Sequence, residues 1–328
     1  MKILIVGPAW VGDMVMAHTL VQTLVARHED PEIVMLAPPA SQPIAARMPE
    51  VAESIPLDVR HGRLDWGVRR RMAKEMKSRR FEVAFVLPNS FKSALIPFWA
   101  RVPRRVGWHG ESRYGILNDR RMAPERHALM IERYMALAWP PAADLPRPYP
   151  RPRLLVDEVN RETLRDRLKL ASDGPVTILC PGSEYGPAKR WPPRHYATLA
   201  RALLDSGQHV WLVGSPRDAV VCAEIQAQAS GVVDLSGRTS LLDAVDVLSL
   251  AEVVVSNDSG LMHVACALDR RVVALFGSTS PDYTPPLSDR ATVLKKDLEC
   301  SPCFQRQCPL GHTDCLVTLE PEQVIAVL

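Results

Sequence analysis

The sequence predicts an α/β protein built from two doubly wound parallel-sheet domains. Short apolar runs alternate with longer helical patterns along the 328-residue chain, which is typical of βαβ units whose sheet is buried on both faces. This alternation occurs on both sides of a proline-rich segment, and the chain length suits two domains. We therefore expect one domain over residues 1–150, a second over 151–328, and a ligand cleft between them.

The predicted strands are the apolar runs rich in β-branched residues. They are Lys2–Val6, Ile33–Ala37, Val83–Leu87 and Arg105–Trp108 in the first half, and Val176–Cys180, Val210–Val213, Val253–Ser256 and Val272–Phe276 in the second. Between the halves, residues 144–156 read DLPRPYPRPRLLV. Alternating prolines remove backbone donors and disfavour both a helix and a central strand, so we expect a linker there.

The first strand-to-helix junction, GPAWVGD, carries one carboxylate, Asp13, before a helical pattern over residues 14–26. Its glycine spacing is not G-x-G-x-x-G, so the dinucleotide fingerprint is not met. One interpretation is that Asp13 caps the helix or lies in its first turn, a role worth about 1 kcal/mol. The other is a general base at the edge of the sheet, because an ionised carboxylate can accept a proton from an attacking hydroxyl.

A second junction, VVVSNDSGLMHVACAL, spans residues 253–268. Asn257, Asp258 and Ser259 are candidate caps of the helix that follows, and Gly260 lets a ligand approach the backbone amides. The segment is therefore either a well-capped helix start or an anion site, for which a pyrophosphate is the obvious ligand. His263 is expected to be a packed helix residue rather than a catalyst.

Two further strand ends carry polar groups. The loop after Cys180 contains Ser183 and two cations, Lys189 and Arg190, which are either solvated or placed to neutralise a departing phosphate. Asp218 follows the next strand end and is a candidate for hydrogen bonds to ribose hydroxyls, although helix capping would also explain it.

Basic residues cluster in the first half of the chain. The stretch 69–80 is expected to be the solvated face of an exposed helix. The stretch 101–121, which includes Arg113 and is interleaved with aromatic residues, is predicted to be a surface for an anionic partner. Asn89 and Lys92 follow another strand end, on the same predicted edge as Asp13.

Four of the seven cysteines lie in one segment near the C-terminus: Cys300, Cys303, Cys308 and Cys315. A CxxC pair followed by two more cysteines is compatible with a structural zinc site, but the later spacings match no standard zinc finger. Free thiols in a reducing compartment are the alternative. We expect no catalytic metal.

Charge and hydropathy exclude several classes of protein. Lys and Arg number 40 and Asp and Glu 37, so the overall charge does not imply a nucleic-acid partner. The apolar run at the N-terminus is interrupted by Pro8 and Asp13 and lacks a cleavage site, and no stretch approaches the ~20 apolar residues of a membrane span. We expect a cytoplasmic protein whose contact with a bilayer is peripheral.

The order of these junctions is more specific than any one of them. GPAWVGD, LPNSFKSA, PGSEYGPAKRWP, and SNDSGLMHVA followed by ALFGSTSPDYTPP together resemble the ADP-heptose:lipopolysaccharide heptosyltransferases of glycosyltransferase family 9, over nearly the whole chain. The resemblance implies a GT-B architecture of two Rossmann-like domains, the first for the acceptor and the second for the nucleotide sugar. It also implies inverting, metal-independent transfer of heptose from ADP-heptose to the first heptose of the lipopolysaccharide inner core.

The resemblance also implies residue roles. Asp13 matches the family's proposed general base and Lys189 its donor-phosphate lysine, while Asp258, Ser259 and Gly260 match the donor loop. We expect the pyrophosphate to lie between Lys189 and the helix start at Ser259–Leu261. Ser183 and Glu184 lie in the corresponding glycine loop, and Asp218 is the candidate for ribose. The acceptor, anionic through Kdo and phosphate, is expected to be a heptosyl-Kdo-lipid A at the cytoplasmic face of the inner membrane, bound through Asn89, Lys92 and Arg113.

Three alternatives remain at this stage. A nucleotide-sugar epimerase on the same scaffold would convert the donor without an acceptor. A non-catalytic protein would bind nucleotides or anionic glycolipid and form no glycoside. A nicotinamide oxidoreductase is disfavoured by the missing fingerprint.

Overall fold

The computed structural model describes residues 1–59, 62–170 and 173–328, which form two units, Met1–Pro152 and Arg153–Leu328. The division lies two residues beyond the predicted domain boundary. The predicted linker, 144–156, contains neither helix nor strand.

The first unit contains a parallel six-stranded sheet in the order β3-β2-β1-β4-β5-β6. Its strands are β1 Lys2–Val6, β2 Glu32–Ala37, β3 Glu53–Pro56, β4 Val83–Val86, β5 Arg104–Trp108 and β6 Asp119–Arg121. Its helices are α1 Val11–Arg27, α2 Gln42–Ala45, α3 Trp66–Ser78, α4 Leu95–Trp99 and α5 Met130–Met135. Helix α1 packs beside α5, and α3 packs beside α4, as expected when crossover helices cover both faces of a parallel sheet.

The second unit repeats this plan in the order β9-β8-β7-β10-β11-β12, also parallel. Its strands are β7 Val176–Cys180, β8 His209–Leu212, β9 Val233–Asp234, β10 Val253–Asn257, β11 Arg271–Phe276 and β12 Ala291–Lys295. Its helices are α6 Glu158–Leu168, α7 Pro193–Asp205, α8 Ala219–Gln228, α9 Leu241–Leu248, α10 Gly260–Ala267, α11 Asp314–Val317 and α12 Pro321–Ile325.

Counted within its own unit, each sheet has the strand order 3-2-1-4-5-6, so both are doubly wound as predicted. The chain leaves the first strand toward one side and returns to the fourth on the other. The carboxyl ends of those two strands flank a topological switch point, where open α/β sheets bind ligands. This point lies between β1 and β4 in the first unit and between β7 and β10 in the second.

All eight predicted strands are confirmed, with ends displaced by at most one residue. The four strands that the sequence did not predict are β3, β6, β9 and β12, and each lies at an edge of its sheet. Within the described residues, every helix is too short or too polar to cross a membrane.

Candidate active site

The switch point of the second sheet brings two of the predicted loops together. Strands β7 and β10 are direct neighbours, with Cys180 opposite Ser256. The loop that follows Cys180 and the start of α10 therefore emerge side by side at the carboxyl edge of the sheet. These loops contain most of the residues predicted to bind the donor.

Helix α10 begins at this edge with a polar, glycine-containing turn. Ser259 is its N-cap residue, and its side chain makes no capping hydrogen bond to the described backbone. Asn257 and Asp258, expected above to be candidate caps, do not cap the helix: Asn257 is the last residue of β10, and Asp258 pairs with a lysine. The first N–H groups of any helix lack intrahelical acceptors, and Ser259 does not cap those of α10, so these groups and the helix dipole favour an anion beside them.

The lysine that pairs with Asp258 is Lys189. Its Nζ lies 2.6 Å from Oδ2 of Asp258, and the two side chains are only 13% and 5% exposed. Thr279 donates a hydrogen bond to the same Oδ2 at 2.6 Å, and Nζ also lies 4.8 Å from the ring centroid of Tyr185. A cation is therefore held next to the start of α10, where sequence reasoning expected one to face the anion site.

Asn257 joins the two loops and is completely buried. Its Nδ2 donates to the Pro181 carbonyl at 2.8 Å, while its Oδ1 accepts from the Trp191 amide at 3.0 Å and from the Tyr196 hydroxyl at 3.1 Å. One side chain thus fixes the loop after β7 and the segment that begins α7. In the sequence, Asn257 is only a polar residue at the end of an apolar strand. That pattern did not predict that its side chain joins two loops.

The loop of Ser183 and Glu184 borders the same edge, and its two predicted donor residues differ in exposure. Ser183 is buried and its carbonyl accepts from Arg190 at 3.3 Å. Glu184 is exposed and forms an ion pair with Arg217 at 2.8 Å.

Asp218 lies in the turn that follows β8. It is buried, and its Oδ2 accepts from the Ser215 amide at 3.0 Å and the Ser215 hydroxyl at 2.8 Å. A Cβ at Gly182 would lie 2.4 Å from this carboxylate, so glycine is what lets the loop after β7 approach it. Asp218 therefore shapes the edge of the site, in addition to its predicted role toward ribose.

His263 lies in the second turn of α10 and is almost completely buried. Burial lowers its pKa to about 4, an effect that the nearby Asp258 carboxylate opposes and the Lys189 cation reinforces. The imidazole is neutral at physiological pH. The expectation of a packed helix residue agrees with this burial.

In the first unit, Asp13 follows β1, one of the two strands whose carboxyl ends flank the switch point. Helix α1 begins at Val11 with Trp10 as its N-cap, so Asp13 lies in the first turn and is not the capping residue. Its side chain is partly exposed, and the neighbouring Trp10 is 45% exposed. The Asp13 carboxylate can therefore interact favourably with the dipole of α1, as a first-turn acid does, and it is also accessible to solvent. Both interpretations of Asp13 remain open.

Asn89 and Lys92 follow β4 at the same edge, but Arg113 differs from the exposed cation that we expected. It is completely buried, and burial lowers its pKa to about 10. Its guanidinium donates to the Pro88 carbonyl at 2.8 Å, to Oδ1 of Asn89 at 3.2 Å, and to the Trp108 carbonyl. Arg113 holds the loop that carries Asn89 through these hydrogen bonds, and its buried guanidinium is not exposed to contact an acceptor.

One member of the first basic cluster also departs from prediction. Helix α3 carries most of that cluster on its exposed surface, but Arg69 is buried on the inner side. Its Nε donates to the Leu64 carbonyl at 2.8 Å and its Nη1 to the Lys92 carbonyl at 2.9 Å. Arg69 thereby fixes the start of α3 to the loop that contains Lys92.

The C-terminal cysteine segment packs against the loop that carries Lys189. The Tyr185 hydroxyl donates to the Phe304 carbonyl at 2.5 Å, and the Ala188 amide donates to the Arg306 carbonyl at 3.2 Å. The four cysteines line one small cavity together with Ala188 and Ser278. All are free thiols, and in the described part of the chain no group of three or more side chains is arranged to hold a metal ion. The structural zinc alternative gains no support from this geometry.

Comparison with known proteins identifies the family. The sequence profile of glycosyltransferase family 9 (heptosyltransferase) matches residues 69–314. The chain is 44% identical to lipopolysaccharide heptosyltransferase 2 of Salmonella typhimurium over all of its length and 97% of the relative. It is 45% identical to lipooligosaccharide heptosyltransferase 2 of Haemophilus influenzae over 90% of this chain and 88% of that protein.

Comparison with solved structures leads to the same family. The structure of E. coli ADP-heptose lipopolysaccharide heptosyltransferase II matches with a TM-score of 0.89 and 43% identity, over 100% of this chain and 97% of the other. The structure of E. coli heptosyltransferase WaaC with ADP, at 20% identity, shares the fold with a TM-score of 0.73 over 99% of both chains.

Two doubly wound parallel sheets, together with the full-length match to the heptosyltransferase II structure, define a glycosyltransferase of GT-B architecture. The chain belongs to glycosyltransferase family 9, and it is an enzyme of heptose transfer in lipopolysaccharide core biosynthesis. Membership of a transferase family decides against the epimerase, the non-catalytic binding protein and the oxidoreductase.

Proposed function

We propose that this enzyme transfers heptose from ADP-heptose to the first heptose of the lipopolysaccharide inner core, with inversion at the anomeric carbon and without a metal ion. The observation that carries the proposal is the Lys189–Asp258 pair beside the start of α10, at the switch point of the second sheet. The names of the relatives support the choice of donor and acceptor.

The second unit binds the donor in this proposal. The diphosphate accepts hydrogen bonds from the amides that follow Ser259, at Gly260 and Leu261, and Lys189 neutralises the charge that grows on the leaving ADP. Asp258 holds Lys189 in place. A cation and a helix dipole together supply the positive charge that a metal ion provides in other transferases, which is why we propose that none is required.

Ser183, Glu184 and Asp218 surround the nucleoside portion of the donor in this proposal. Ser215 occupies only Oδ2 of Asp218, and Oδ1 lies 3.7 Å from Nη2 of Arg190. Oδ1 therefore remains able to accept a ribose hydroxyl.

The first unit binds the anionic, lipid-linked acceptor through Asn89 and Lys92. Arg113 supports this contact indirectly, because it holds the side chain of Asn89 and the carbonyl of Pro88. A lipid-linked acceptor also implies that the enzyme works at the cytoplasmic face of the inner membrane, with peripheral attachment.

Asp13 is the proposed general base. It takes the proton from the acceptor hydroxyl while that oxygen forms a bond to the anomeric carbon and the bond from this carbon to the ADP oxygen breaks. The sugar passes through an oxocarbenium-like state, and attack from the face opposite ADP inverts the configuration. ADP leaves as an anion whose charge the start of α10 and Lys189 stabilise.

The substitution Asp13→Asn tests this role, since it keeps the shape of the side chain and removes its basicity. We expect transfer to a heptosyl-Kdo-lipid A acceptor, followed by mass spectrometry, to fall by about 10²–10⁴-fold while ADP binding is kept. Glu125→Gln, a first-turn acid of the short helix Pro124–Arg126 in the same unit, is the matched control. Near-normal turnover by Asp13→Asn would reject Asp13 as the base.

A further inference from the structure

The outer surface of α3 and α4 in the first unit exposes aromatic rings among cations. Trp66 is 48% exposed and Phe98 is 40% exposed, although both are large apolar side chains. We call this surface the α3–α4 face, and it comprises Trp66, Arg70, Lys74, Phe98, Trp99 and Arg101. Trp66 and Phe98 are not part of the hydrophobic core of the first unit, whereas Trp99 is partly buried against it.

Helical spacing and ring contacts make the face continuous. Trp66, Arg70 and Lys74 are four residues apart on α3 and therefore lie on one side of the helix. The Trp66 and Trp99 rings lie 5.3 Å apart, which connects α3 to α4, and the Arg70 guanidinium lies 5.6 Å from the Trp99 ring. Trp66, Arg70 and Trp99 thus form one surface. Phe98 and Arg101 are exposed residues on either side of Trp99 in the chain, and the Phe98 ring lies 5.6 Å from the Arg105 guanidinium.

Cations outnumber carboxylates on α3. Glu75 is the carboxylate within this helix, and its ion pair is with Arg79, at 3.1 Å, while Asp65 precedes Trp66 as the N-cap residue. Arg101, at the end of α4, is also exposed. The combination is suited to a flat, negatively charged surface with an apolar layer beneath it.

The face is structurally tied to the proposed acceptor loop. Arg69, on the inner side of α3, donates to the carbonyls of Leu64 and Lys92, so the start of α3 and the Lys92 loop are held together. Trp66 is the first residue of that helix. A surface that rests on the face would therefore lie next to the loop that binds the acceptor.

We propose that the α3–α4 face docks the enzyme on an anionic lipid bilayer. Trp66 and Phe98 enter the headgroup region, where aromatic rings are favoured, while Arg70, Lys74 and Arg101 attract lipid phosphates. This inference rests on the proposed function, because a lipid-linked acceptor requires the enzyme to reach the membrane surface.

Vesicle flotation with the full chain tests the proposal. We expect the enzyme to bind vesicles of phosphatidylglycerol and phosphatidylethanolamine and not vesicles of phosphatidylcholine alone, with binding that weakens as salt is added. The variant Trp66→Ala/Phe98→Ala should bind the anionic vesicles at least tenfold more weakly, as should Arg70→Glu/Lys74→Glu.

Matched controls lie on the second unit. Val159→Ala/Val220→Ala removes two apolar side chains whose residues are 79% and 82% exposed, and Lys169→Glu/Arg194→Glu makes the same change of charge at exposed positions. Both controls should bind as the unaltered enzyme does. The proposal is overturned if the face variants bind normally, if the controls lose binding equally, or if the unaltered enzyme does not bind anionic vesicles.

A transfer assay separates this proposal from the proposed function. With a deacylated, water-soluble acceptor, the face variants should keep the kcat/KM of the unaltered enzyme, and with the same acceptor embedded in anionic vesicles they should lose at least tenfold. Absence of transfer to either acceptor by the unaltered enzyme would refute the function while leaving the vesicle result intact. Equal loss on both acceptors would refute docking, because the face would then act on the reaction itself.

Discussion

The Lys189–Asp258 pair allows its structural and catalytic contributions to be measured separately. Lys189→Met keeps the length of the side chain and removes its charge, while Asp258→Asn keeps the shape and the acceptor that Thr279 uses. The double variant removes both charges. These three proteins and the unaltered enzyme form a double-mutant cycle.

The expected free energies follow from the burial of the pair. Removing one partner of a fully buried ion pair costs about 3–5 kcal/mol, because a charge is left uncompensated. Here Lys189 is 13% exposed and Thr279 still donates to Asp258, so we expect Lys189→Met to lower the free energy of unfolding by about 2–3 kcal/mol. The double variant leaves no buried charge, and it should lie within about 1 kcal/mol of the unaltered enzyme.

Hydrogen exchange of the β7 and β10 amides reports the stability of the second unit, and calorimetry reports ADP binding. The double variant should be stable yet bind ADP at least tenfold more weakly and transfer no measurable heptose, because the diphosphate has lost its cation. The reasoning is wrong if the double variant is as unstable as Lys189→Met, since the buried charge would then not be the cause. It is also wrong if Lys189→Met binds ADP normally.

Three further predictions concern the same edge of the second sheet. Asn257→Ala leaves the Trp191 amide, the Tyr196 hydroxyl and the Pro181 carbonyl without their partner, so the second unit should lose about 3–4 kcal/mol in denaturant unfolding; a loss below about 1 kcal/mol would contradict the network. The pKa of His263 is lowered to about 4 from the ordinary 6.5, so the unfolded state takes up the proton first. As the pH is lowered from 6.5 to 4, the free energy of unfolding should therefore fall by up to about 1.4 kcal/mol per pH unit. His263→Gln should show a shallower fall over the same range. Transfer should persist in excess EDTA after exhaustive metal removal, whereas loss of activity that Mg²⁺ restores would refute the proposed role of Lys189 in place of a metal.

The strands that the sequence revealed and those that it concealed differ in burial. Central strands of a parallel sheet are covered on both faces, so β1 and β7 are apolar apart from one polar residue each, and their predicted bounds match the structure. The edge strands β6, with sequence DRR, and β9, with sequence VD, are short and partly exposed. Their hydrogen bonds to a neighbour define them as strands, and that neighbour lies elsewhere in the sequence.

The sequence by itself determined the doubly wound class, the strand ends that carry Asp13, Lys189 and Asp258, and the family, because each depends on local periodicity or on a short motif. Only the tertiary structure decided which of these groups meet. Lys189 and Asp258 are 69 residues apart and form an ion pair because β7 and β10 are neighbours. Asn257 fixes two loops, and Arg113 is buried against the loop that carries Asn89. Pairing and burial depend on which distant segments pack together, a property that no local pattern encodes.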